Sequence, residues 1–443
     1  MKTKLTILSV SILIVVLASS MGLAFDPVED LGEFDFEGKT VTYMCWYDPF
    51  EEFEEGGDYA GRLEEAKEKF NIGEIEYLEV PWGEDLVDTA MSRLMAGDAD
   101  YDVWFVPTAQ DQYWSLAAEG ALYPVNKILP DEYYEEMPED LQIMFESLSL
   151  GGEKYAFGLG NDHYDNILFM AWNKDIFDRE GFTPLDQLYE DDELTWDAVE
   201  KIAIEATKDT TGDDEIDQWG FGDLTGPVNL AIANDGDIIK ENENGDLEFV
   251  MHENEEAIYA LEKYVEWESD LELIGDTWER LEWKDGNIAM APIQLWQAGE
   301  DIGNMEFEWS VVPFPKGPDA EDYRFPTTGM DSAYIPAGSD NPEGLVALHN
   351  FLYPKDEHME MREVRRNNNA PDKMAYETYL AGETDFTEES VEPFATVVGE
   401  FWDGETPFGA ALTPVLYEGE DAAPTLNANA SSIQAALDEY FDQ

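Results

Sequence analysis

Residues 41–106 contain three short apolar stretches, which read VTYMCW at 41–46, IEYLEV at 75–80 and DVWFV at 102–106. Each has the length and the β-branched and aromatic content of a buried strand. Between them, apolar residues recur at helical spacing, first at Leu63, Ala66 and Phe70 and then from Leu86 to Met95. Strands that alternate with helices predict a parallel sheet flanked by helices, and therefore the α/β class.

The alternation continues after Gly151 and Gly152. Tyr164–Trp172, Ile288–Ile293 and Trp309–Pro313 are apolar enough for strands, and Thr195 is a candidate N-cap for a helix that begins at Trp196. A chain of 443 residues is long enough for two domains. We find no internal repeat of 20 to 50 residues, which argues against a solenoid.

The N-terminus has the pattern of a secretory signal peptide. Lys2 and Lys4 precede an apolar run from Leu5 to Leu17, and small residues follow up to Ala24. We expect residues 1–24 to be removed; the alternative is a membrane anchor, but the run is shorter than the roughly 20 residues of a comfortable span. The sequence therefore predicts a secreted protein, periplasmic or extracellular, without membrane insertion after cleavage.

The cysteine content bears on whether the protein has a lipid anchor or a disulfide bond. Cys45 is the single cysteine and lies well beyond the predicted cleavage site. We therefore expect neither a lipid anchor at the mature N-terminus nor a disulfide within the chain. The apolar residues around Cys45 predict a buried, inert thiol.

The charge balance is strongly acidic. The chain has 101 Asp and Glu against 24 Lys and Arg, a formal net charge of −77, and the acids are spread along its length. This charge disfavours nucleic acids and anionic membranes as partners. Such acidity favours a saline environment, where salt screens the mutual repulsion; the alternative is an ordinary acidic protein.

Catalytic motifs are weak. The four histidines form no HExxH motif, no G-x-S-x-G elbow occurs, and the abundance of carboxylates makes any single pair uninformative. We therefore expect a protein that is not an enzyme and requires no cofactor. A secreted glycoside hydrolase remains the alternative, because such enzymes share the aromatic richness.

Aromatic residues beside short polar ones predict a sugar site, since sugar rings stack on indole and phenol faces while their hydroxyls need hydrogen-bond partners. The chain has 13 Trp and 21 Tyr. Five stretches combine the two residue types: Trp46-Tyr47-Asp48, Thr108 to Trp114 with Gln110 and Asp111, Asn161-Asp162 to Asp165, Gln294 to Gln297 with Trp296, and Phe401-Trp402-Asp403. Three of them follow predicted strands, and open α/β sheets bind ligands at the carboxyl ends of strands.

An acidic segment after the helix at 196 has the spacing of a calcium loop. The oxygens would come from Asp209, Thr211, Asp213, Glu215 (through its backbone) and Asp217. Two positions depart from that pattern, because Asp214 replaces the turn glycine and Gly220 stands where a bidentate Glu belongs. A structural Ca²⁺ and a merely solvated acidic turn are both open.

Taken together, the segments resemble the extracellular solute-binding proteins of sugar ABC importers, the class that includes maltose-binding protein. The most specific segment is FMAWNKDIFDREGF at 169–182, which is similar to the family's YNKDLFEKAGL pattern, followed by Thr195-Trp196. Residues 209–220, 233–237, 285–290 and 94–103 resemble further family segments in the same order. Asp235 departs from a family glycine, and Trp219 belongs to the insertion at 209–220.

The resemblance implies a type II periplasmic-binding-protein fold, in which two lobes, each a sheet flanked by helices, are joined by hinge strands. It implies a first lobe of residues 39–165 plus 310–335 and a second of 168–307 plus 339–443. Hinge crossings are expected near 164–168, 307–312 and 330–336. It also implies a monomer that closes around a carbohydrate and docks on the permease subunits of an ABC transporter.

Ligand-binding roles are carried over by the resemblance to particular positions. They are Trp46, Tyr47, Asp48, Thr108, Gln110, Asp111, Trp114, Asn161, Asp162, Trp296 and Trp402. Two other classes stay open beside the hydrolase: a surface-layer or adhesion protein, and a binder of a non-sugar solute such as a polyol, a glycerol-phosphate or a peptide.

Overall fold

The computed structural model describes most of the chain. The described residues are 25–54, 56–57, 59–81, 84–107, 112–158, 163–222, 226–242, 245–275, 283, 286–298, 305–327, 329–395, 397 and 406–441. The predicted signal peptide at 1–24 lies outside them.

The first of two four-stranded sheets has the order β10-β3-β1-β2. Its strands are β1 (Thr40–Cys45), β2 (Glu74–Glu79), β3 (Asp102–Pro107) and β10 (Asp331–Tyr334). The first three are parallel and β10 is antiparallel to β3. The three strands predicted from residues 41–106 are therefore confirmed to within one residue at each end, including the parallel pairing.

The second sheet has the order β5-β8-β4-β9. It contains β4 (Leu168–Asn173), β5 (Trp219–Phe221), β8 (Ile288–Gln294) and β9 (Trp309–Pro313). The central strand β4 is antiparallel to both of its neighbours, β8 and β9, and β5 is parallel to β8. Every side chain of β4 is buried, as expected for a strand that is covered on both faces.

Helices cover both sheets, and a separate hairpin pairs β6 (Ile239–Glu241) with β7 (Leu247–Phe249). The described α-helices are Pro27–Asp30, Arg62–Phe70, Glu84–Ala96, Gln112–Ala118, Asp131–Glu135, Glu139–Ser147, His163–Asn166, Lys174–Glu180, Leu185–Glu190, Trp196–Ala206, Pro227–Ala233, Glu255–Val265, Leu295–Gln297, Pro342–Leu352, Lys355–Asn369, Lys373–Thr384, Pro407–Glu418 and Ala422–Tyr440. None of the described helices is long and apolar enough to cross a membrane.

Local chemistry explains the segment that carries the clearest sequence pattern. Asn173 ends β4 and caps the next helix, because its side-chain oxygen accepts hydrogen bonds from the backbone N–H groups of Asp175 and Ile176, both at 3.1 Å. Gly181 ends that helix at φ 78°, a left-handed conformation that favours glycine. Thr195 takes the N-cap position as predicted, but its side chain makes no capping hydrogen bond.

Asp235, which departs from the family's glycine, adopts a left-handed φ of 56°. Aspartate tolerates this region better than most residues that carry a side chain. Its Oδ2 accepts a hydrogen bond of 2.9 Å from Arg324 Nη2, and this ion pair stabilises the strained turn. The turn is therefore kept without glycine.

Two stretches pack differently from the predicted division into lobes. The predicted first lobe includes 310–335, but residues 309–313 form β9 and pair along β4 in the second sheet. The chain rejoins the first sheet only at Asp331, so the crossing expected near 307–312 is wrong. The predicted second lobe includes 339–443, whereas the helix Pro342–Leu352 packs on Pro27–Asp30 and Arg62–Phe70 beside the first sheet. In both cases the segment packs against elements that are distant in sequence, which the local sequence does not reveal.

Candidate ligand-binding site

The carboxyl ends of β1, β2 and β3 lie at one end of the first sheet because the three strands are parallel. Trp46 and Tyr47 follow β1 directly. Asp331, the first residue of β10, pairs with Pro107, the last residue of β3. Its side chain therefore stands at the same end of the sheet, where open α/β folds bind their ligands.

Trp46 and Tyr47 are both half-buried, with ring centroids 5.1 Å apart and an interplanar angle of 76°. Tyr47 also packs against Phe105 of β3. Burial holds the pKa of the Tyr47 hydroxyl well above its usual range, so the phenol stays neutral and able to donate a hydrogen bond. The pair supplies flat apolar surface at the strand end, and the ligand-binding role of both residues stays a prediction.

Asp48 has a local role. Its Oδ1 accepts a hydrogen bond of 2.8 Å from the backbone N–H of Phe50, which stabilises the turn after β1. The side chain is exposed. Its predicted contact with a ligand stays a prediction.

Asp331 is a residue that the sequence reasoning missed. Its side chain is 8% exposed, and burial, assisted by the charge of Asp165, raises its pKa to about 8. The signal in the sequence is the single carboxylate of segment 330–336, which the resemblance predicts to be a hinge crossing.

The chain passes from the first sheet to the second through the short helix His163–Asn166, at the predicted crossing near 164–168. Asp165 on this helix is 5% exposed and forms an ion pair with Arg365. The helix contacts Leu295–Gln297, which follows β8. The crossing therefore lies beside the carboxyl end of β8.

Trp296 is held at this place by a short chain of hydrogen bonds. Its Nε1 donates to Gln294 Oε1 at 2.9 Å, and Gln294 Nε2 donates to the carbonyl oxygen of Asn166 at 2.9 Å. Gln297 caps the turn by accepting a hydrogen bond from Gln294 N through its Oε1. With 40% of its surface exposed, the indole of Trp296 presents a large apolar face beside the crossing.

Asp331 at the start of β10 lies near Tyr47 at the end of β1 and interacts with Asp165 on the crossing helix, which in turn contacts the segment of Trp296 after β8. Rings for stacking thus lie near carboxylate and amide oxygens that accept hydrogen bonds. The combination suits a polyhydroxylated ligand.

Trp114 does not fit its predicted ligand-binding role. It is completely buried, its Nε1 donates to the carbonyl oxygen of Pro393 at 2.8 Å, and its ring lies 4.5 Å from that of Phe394. Phe441 packs against it edge-on, with ring centroids 6.1 Å apart. The indole is thus enclosed between the helix Gln112–Ala118 and C-terminal segments, which leaves no face for a ligand in this structure.

The other predicted contacts, Thr108, Gln110, Asp111, Asn161, Asp162 and Trp402, lie outside the described residues, and their roles stay predictions. Cys45 is described and completely buried, and burial raises the pKa of its thiol well above the usual range. This agrees with the inert thiol expected from its apolar neighbours.

The acidic segment 209–217 forms a turn whose carboxylates bind its own backbone. Asp209 Oδ1 accepts from the N–H groups of Thr211 and Gly212, and Oδ2 accepts from that of Asp214. These bonds lower the pKa of Asp209. Within the described part of the chain no group of three or more His, Cys, Asp or Glu is placed to hold a metal ion, so the structural Ca²⁺ stays a prediction.

A polar cavity of about 480 Å³ adjoins this turn. Its lining includes Lys208 and Asp217, together with Gly286 and Asn287 just before β8. It therefore lies at the opposite end of β8 from Trp296. Glu180 pairs with Lys208 at 2.6 Å, so that cation is already neutralised by the protein.

No protein-family model and no curated protein sequence matches this chain. Solved structures do match. A cyclo/maltodextrin-binding protein complexed with maltotetraose is 17% identical, with a TM-score of 0.63 over 90% of this chain and 97% of the other. The maltose/maltodextrin-binding domain MalE from Bdellovibrio bacteriovorus bound to maltotriose is 17% identical, with a TM-score of 0.60 over 91% and 100%. The sugar transporter RHE_PF00321 from Rhizobium etli, in an open conformation, is 15% identical, with a TM-score of 0.63 over 89% and 99%.

This likeness spans nearly the full length of each neighbour and concerns the fold. The predicted fold class is confirmed: the chain has the two-lobe α/β architecture of type II substrate-binding proteins, with a helix-flanked sheet in each lobe.

Proposed function

We propose that this chain is the substrate-binding component of an ABC importer that captures a sugar or oligosaccharide between its lobes and delivers it to a membrane permease. One observation carries the proposal. The carboxyl end of the first sheet and the carboxyl end of β8 both lie beside the crossing helix His163–Asn166, through Asp331 and Leu295–Gln297, and each brings aromatic rings with hydrogen-bonding groups.

The residue types favour a neutral polyhydroxylated ligand. Trp46, Tyr47 and Trp296 offer the apolar faces that sugar rings stack on. Asp331 offers hydrogen-bond acceptors for hydroxyl groups. A formal net charge of −77 disfavours anionic solutes such as glycerol-phosphates. The solved neighbours bound to maltotetraose and maltotriose support the same ligand class.

Ligand capture would proceed by closure of the two lobes. We place the first lobe at about residues 39–165 with 331–369, and the second at 168–327 with 373–441, following sheet membership and helix packing. A ligand that contacts both lobes favours the closed state over the open one. A neighbour solved in an open conformation is consistent with such a motion.

Export completes the proposal. Removal of residues 1–24 after Ala24 would release a monomer into a saline periplasm or medium, where the acidic surface keeps it soluble. Mass spectrometry of the mature protein tests the cleavage site, and a mass that includes residues 1–24 would contradict it.

A thermal-shift screen in high salt tests the central claim. Glucose, galactose, sucrose, maltose and maltotriose are added separately, and a binding sugar raises the melting temperature in proportion to the logarithm of its concentration over Kd. Chromatography of the recovered sugar distinguishes binding from hydrolysis. No shift with any sugar at millimolar concentration would contradict the proposal, and cleaved sugar would favour the hydrolase.

A further inference from the structure

Asp331 occupies an unusual position for a buried carboxylate. It is the first residue of β10, opposite Pro107 at the ligand-binding end of the first sheet, and its side chain is 8% exposed. An ionised carboxylate that is taken out of water is costly unless hydrogen bonds or a cation compensate for the lost hydration.

The described groups that face Asp331 provide no such compensation. Cys45 and Tyr47 lie near it after β1, and Tyr334 lies near it on β10 itself. Burial keeps the thiol and both phenols neutral by raising their pKa values. The remaining neighbour is Asp165 on the crossing helix, a like charge whose partner is Arg365.

Among the described residues, none donates a hydrogen bond to the Asp331 carboxylate or forms an ion pair with it. The contrast with Asp102 is informative. Asp102 is the buried aspartate at the other end of β3, and it receives hydrogen bonds from Arg93 Nε at 2.6 Å and from Arg93 Nη2 at 2.8 Å. Among the described residues, the buried carboxylate that is remote from the site is therefore paired, and the one at the site is not.

A purely structural position in this strand would favour an apolar or hydroxyl side chain, as at Ser332, which donates to the Phe157 carbonyl oxygen. A carboxylate that accepts from none of the described residues is instead open to donors from outside the protein. Sugar hydroxyls are donors of this kind, and hydrogen bonds to a charged acceptor are about twice as strong as neutral ones.

We propose that the Asp331 carboxylate is a specificity-determining ligand contact that accepts hydrogen bonds from sugar hydroxyls at the floor of the interlobe site. This inference rests on the proposed function and deepens it. Since the ligand would bind the ionised form, sugar binding releases a proton from Asp331 wherever the empty site is protonated.

The sign of the pH dependence follows from this preference. The empty site holds its proton up to a pKa of about 8, so at lower pH binding must first remove that proton. Sugar affinity therefore rises as the pH is raised from 6 to 9 and levels off above the pKa. A neutral carboxylic acid acting as a donor would give the opposite trend.

Isothermal titration at constant salt tests the proposal with whichever sugar of the screen gives the largest thermal shift. We expect Asp331→Asn and Asp331→Ala to weaken binding about 10- to 100-fold at pH 8, the scale of a hydrogen bond to a charged group. The rise in affinity between pH 6 and pH 9, and the proton release seen as a buffer-dependent heat, should both be lost.

Asp102→Asn is the matched control, because it also neutralises a buried aspartate of β3's sheet but at the far end. It should lower the melting temperature and leave the sugar Kd and its pH dependence unchanged. If both Asp331 variants keep the wild-type Kd and pH dependence, this inference is overturned while the proposed function stands. The same follows if the sugar affinity of the wild-type protein falls with rising pH. Failure of the wild-type protein to bind any sugar would instead overturn the proposed function and, with it, this inference.

Discussion

Arg362 Nη1 donates a hydrogen bond of 2.7 Å to Asp140 Oδ2, and both side chains are almost completely buried. Arg362 belongs to the helix Lys355–Asn369, and Asp140 lies near the start of Glu139–Ser147. The next two arginines of the same helix reach other elements: Arg365 pairs with Asp165 on the crossing helix, and Arg366 pairs with Glu383 of Lys373–Thr384. One helix therefore ties the crossing helix to Glu139–Ser147 and to Lys373–Thr384, which packs on β9 of the second sheet.

Removing Arg362 should destabilise the protein strongly. Arg362→Met leaves the Asp140 carboxylate buried without its cation, and breaking a buried pair in this way costs about 3–5 kcal/mol. Denaturant unfolding at fixed salt measures the loss. The control is Lys373→Met, whose pair with Glu377 is exposed and should contribute nothing measurable. Equal stabilities of the two variants would show that burial does not govern the strength of these pairs.

Truncating Trp296 should weaken sugar binding with little effect on folding. Trp296→Ala removes an exposed indole face beside the crossing, and we expect a loss of about 1–3 kcal/mol in binding free energy. Titration calorimetry measures the change. Tyr417→Ala, which removes a ring that is 61% exposed on the helix Pro407–Glu418, serves as the control and should leave Kd unchanged. An unaltered Kd in Trp296→Ala would remove this residue from the site.

Trp114 should behave in the opposite way. Its complete burial against Phe394 and Phe441 predicts that Trp114→Ala costs about 3–5 kcal/mol of stability, as for other large-to-small changes in a core. Trp114→Phe keeps most of the packing but loses the hydrogen bond to Pro393, and should cost about 0.5–1.5 kcal/mol beyond any packing change. Sugar affinity measured on folded Trp114→Phe should equal that of the wild type. A large loss of affinity with unchanged stability would restore the ligand contact predicted from the sequence.

The three strands within residues 41–106 could be predicted because a buried strand is visible as a short apolar run in the local sequence. VTYMCW and DVWFV are continuous apolar runs, and β1 and β3 fall on them. Thr195, predicted as an N-cap from its neighbours alone, likewise takes that position before the helix Trp196–Ala206. The parallel order of the first sheet followed from the alternation of these local signals with helices.

Which strands pair with each other cannot be recognised from the local sequence. Nothing around Trp309 indicates that β9 joins β4, more than 130 residues away, so the lobe boundaries drawn from the sequence were displaced there. The same limit affects single side chains. Trp114 and Trp296 both stand beside glutamines, yet one is enclosed by segments from the C-terminus and the other is exposed. Asp331 was missed because its significance depends on which groups surround it in space.

The acidic turn at 209–217 offers a test of the predicted calcium site. Asp209→Ala removes the acceptor for three backbone N–H groups, so we expect a lower melting temperature in EGTA for structural reasons alone. Adding CaCl₂ then separates the two interpretations. A rise in melting temperature that occurs in the wild type but not in the variant would confirm a bound calcium, and no rise would favour a turn stabilised by its own hydrogen bonds.

Glu392 should make stability fall as the pH rises toward neutrality. Its carboxyl group is 6% exposed, its Oε2 accepts a hydrogen bond of 3.2 Å from the backbone N–H of Ile238, and burial raises its pKa to about 7. The charge of Asp237 acts in the same direction. Because the folded state holds this proton more tightly than the unfolded state does, the folded protein binds more protons between about pH 4.5 and pH 7. The difference amounts to roughly 3 kcal/mol of stability lost over that interval.

Replacing Glu392 with glutamine removes this titration while keeping an oxygen that can accept from Ile238. The free energy of unfolding of Glu392→Gln, measured from pH 4 to pH 8 at constant salt, should therefore rise steadily relative to the wild type and level off above pH 7. Glu439→Gln, at an exposed position of Ala422–Tyr440, should follow the wild type throughout. A constant difference between Glu392→Gln and the wild type across this range would mean that Glu392 titrates in the folded protein as it does in the unfolded chain.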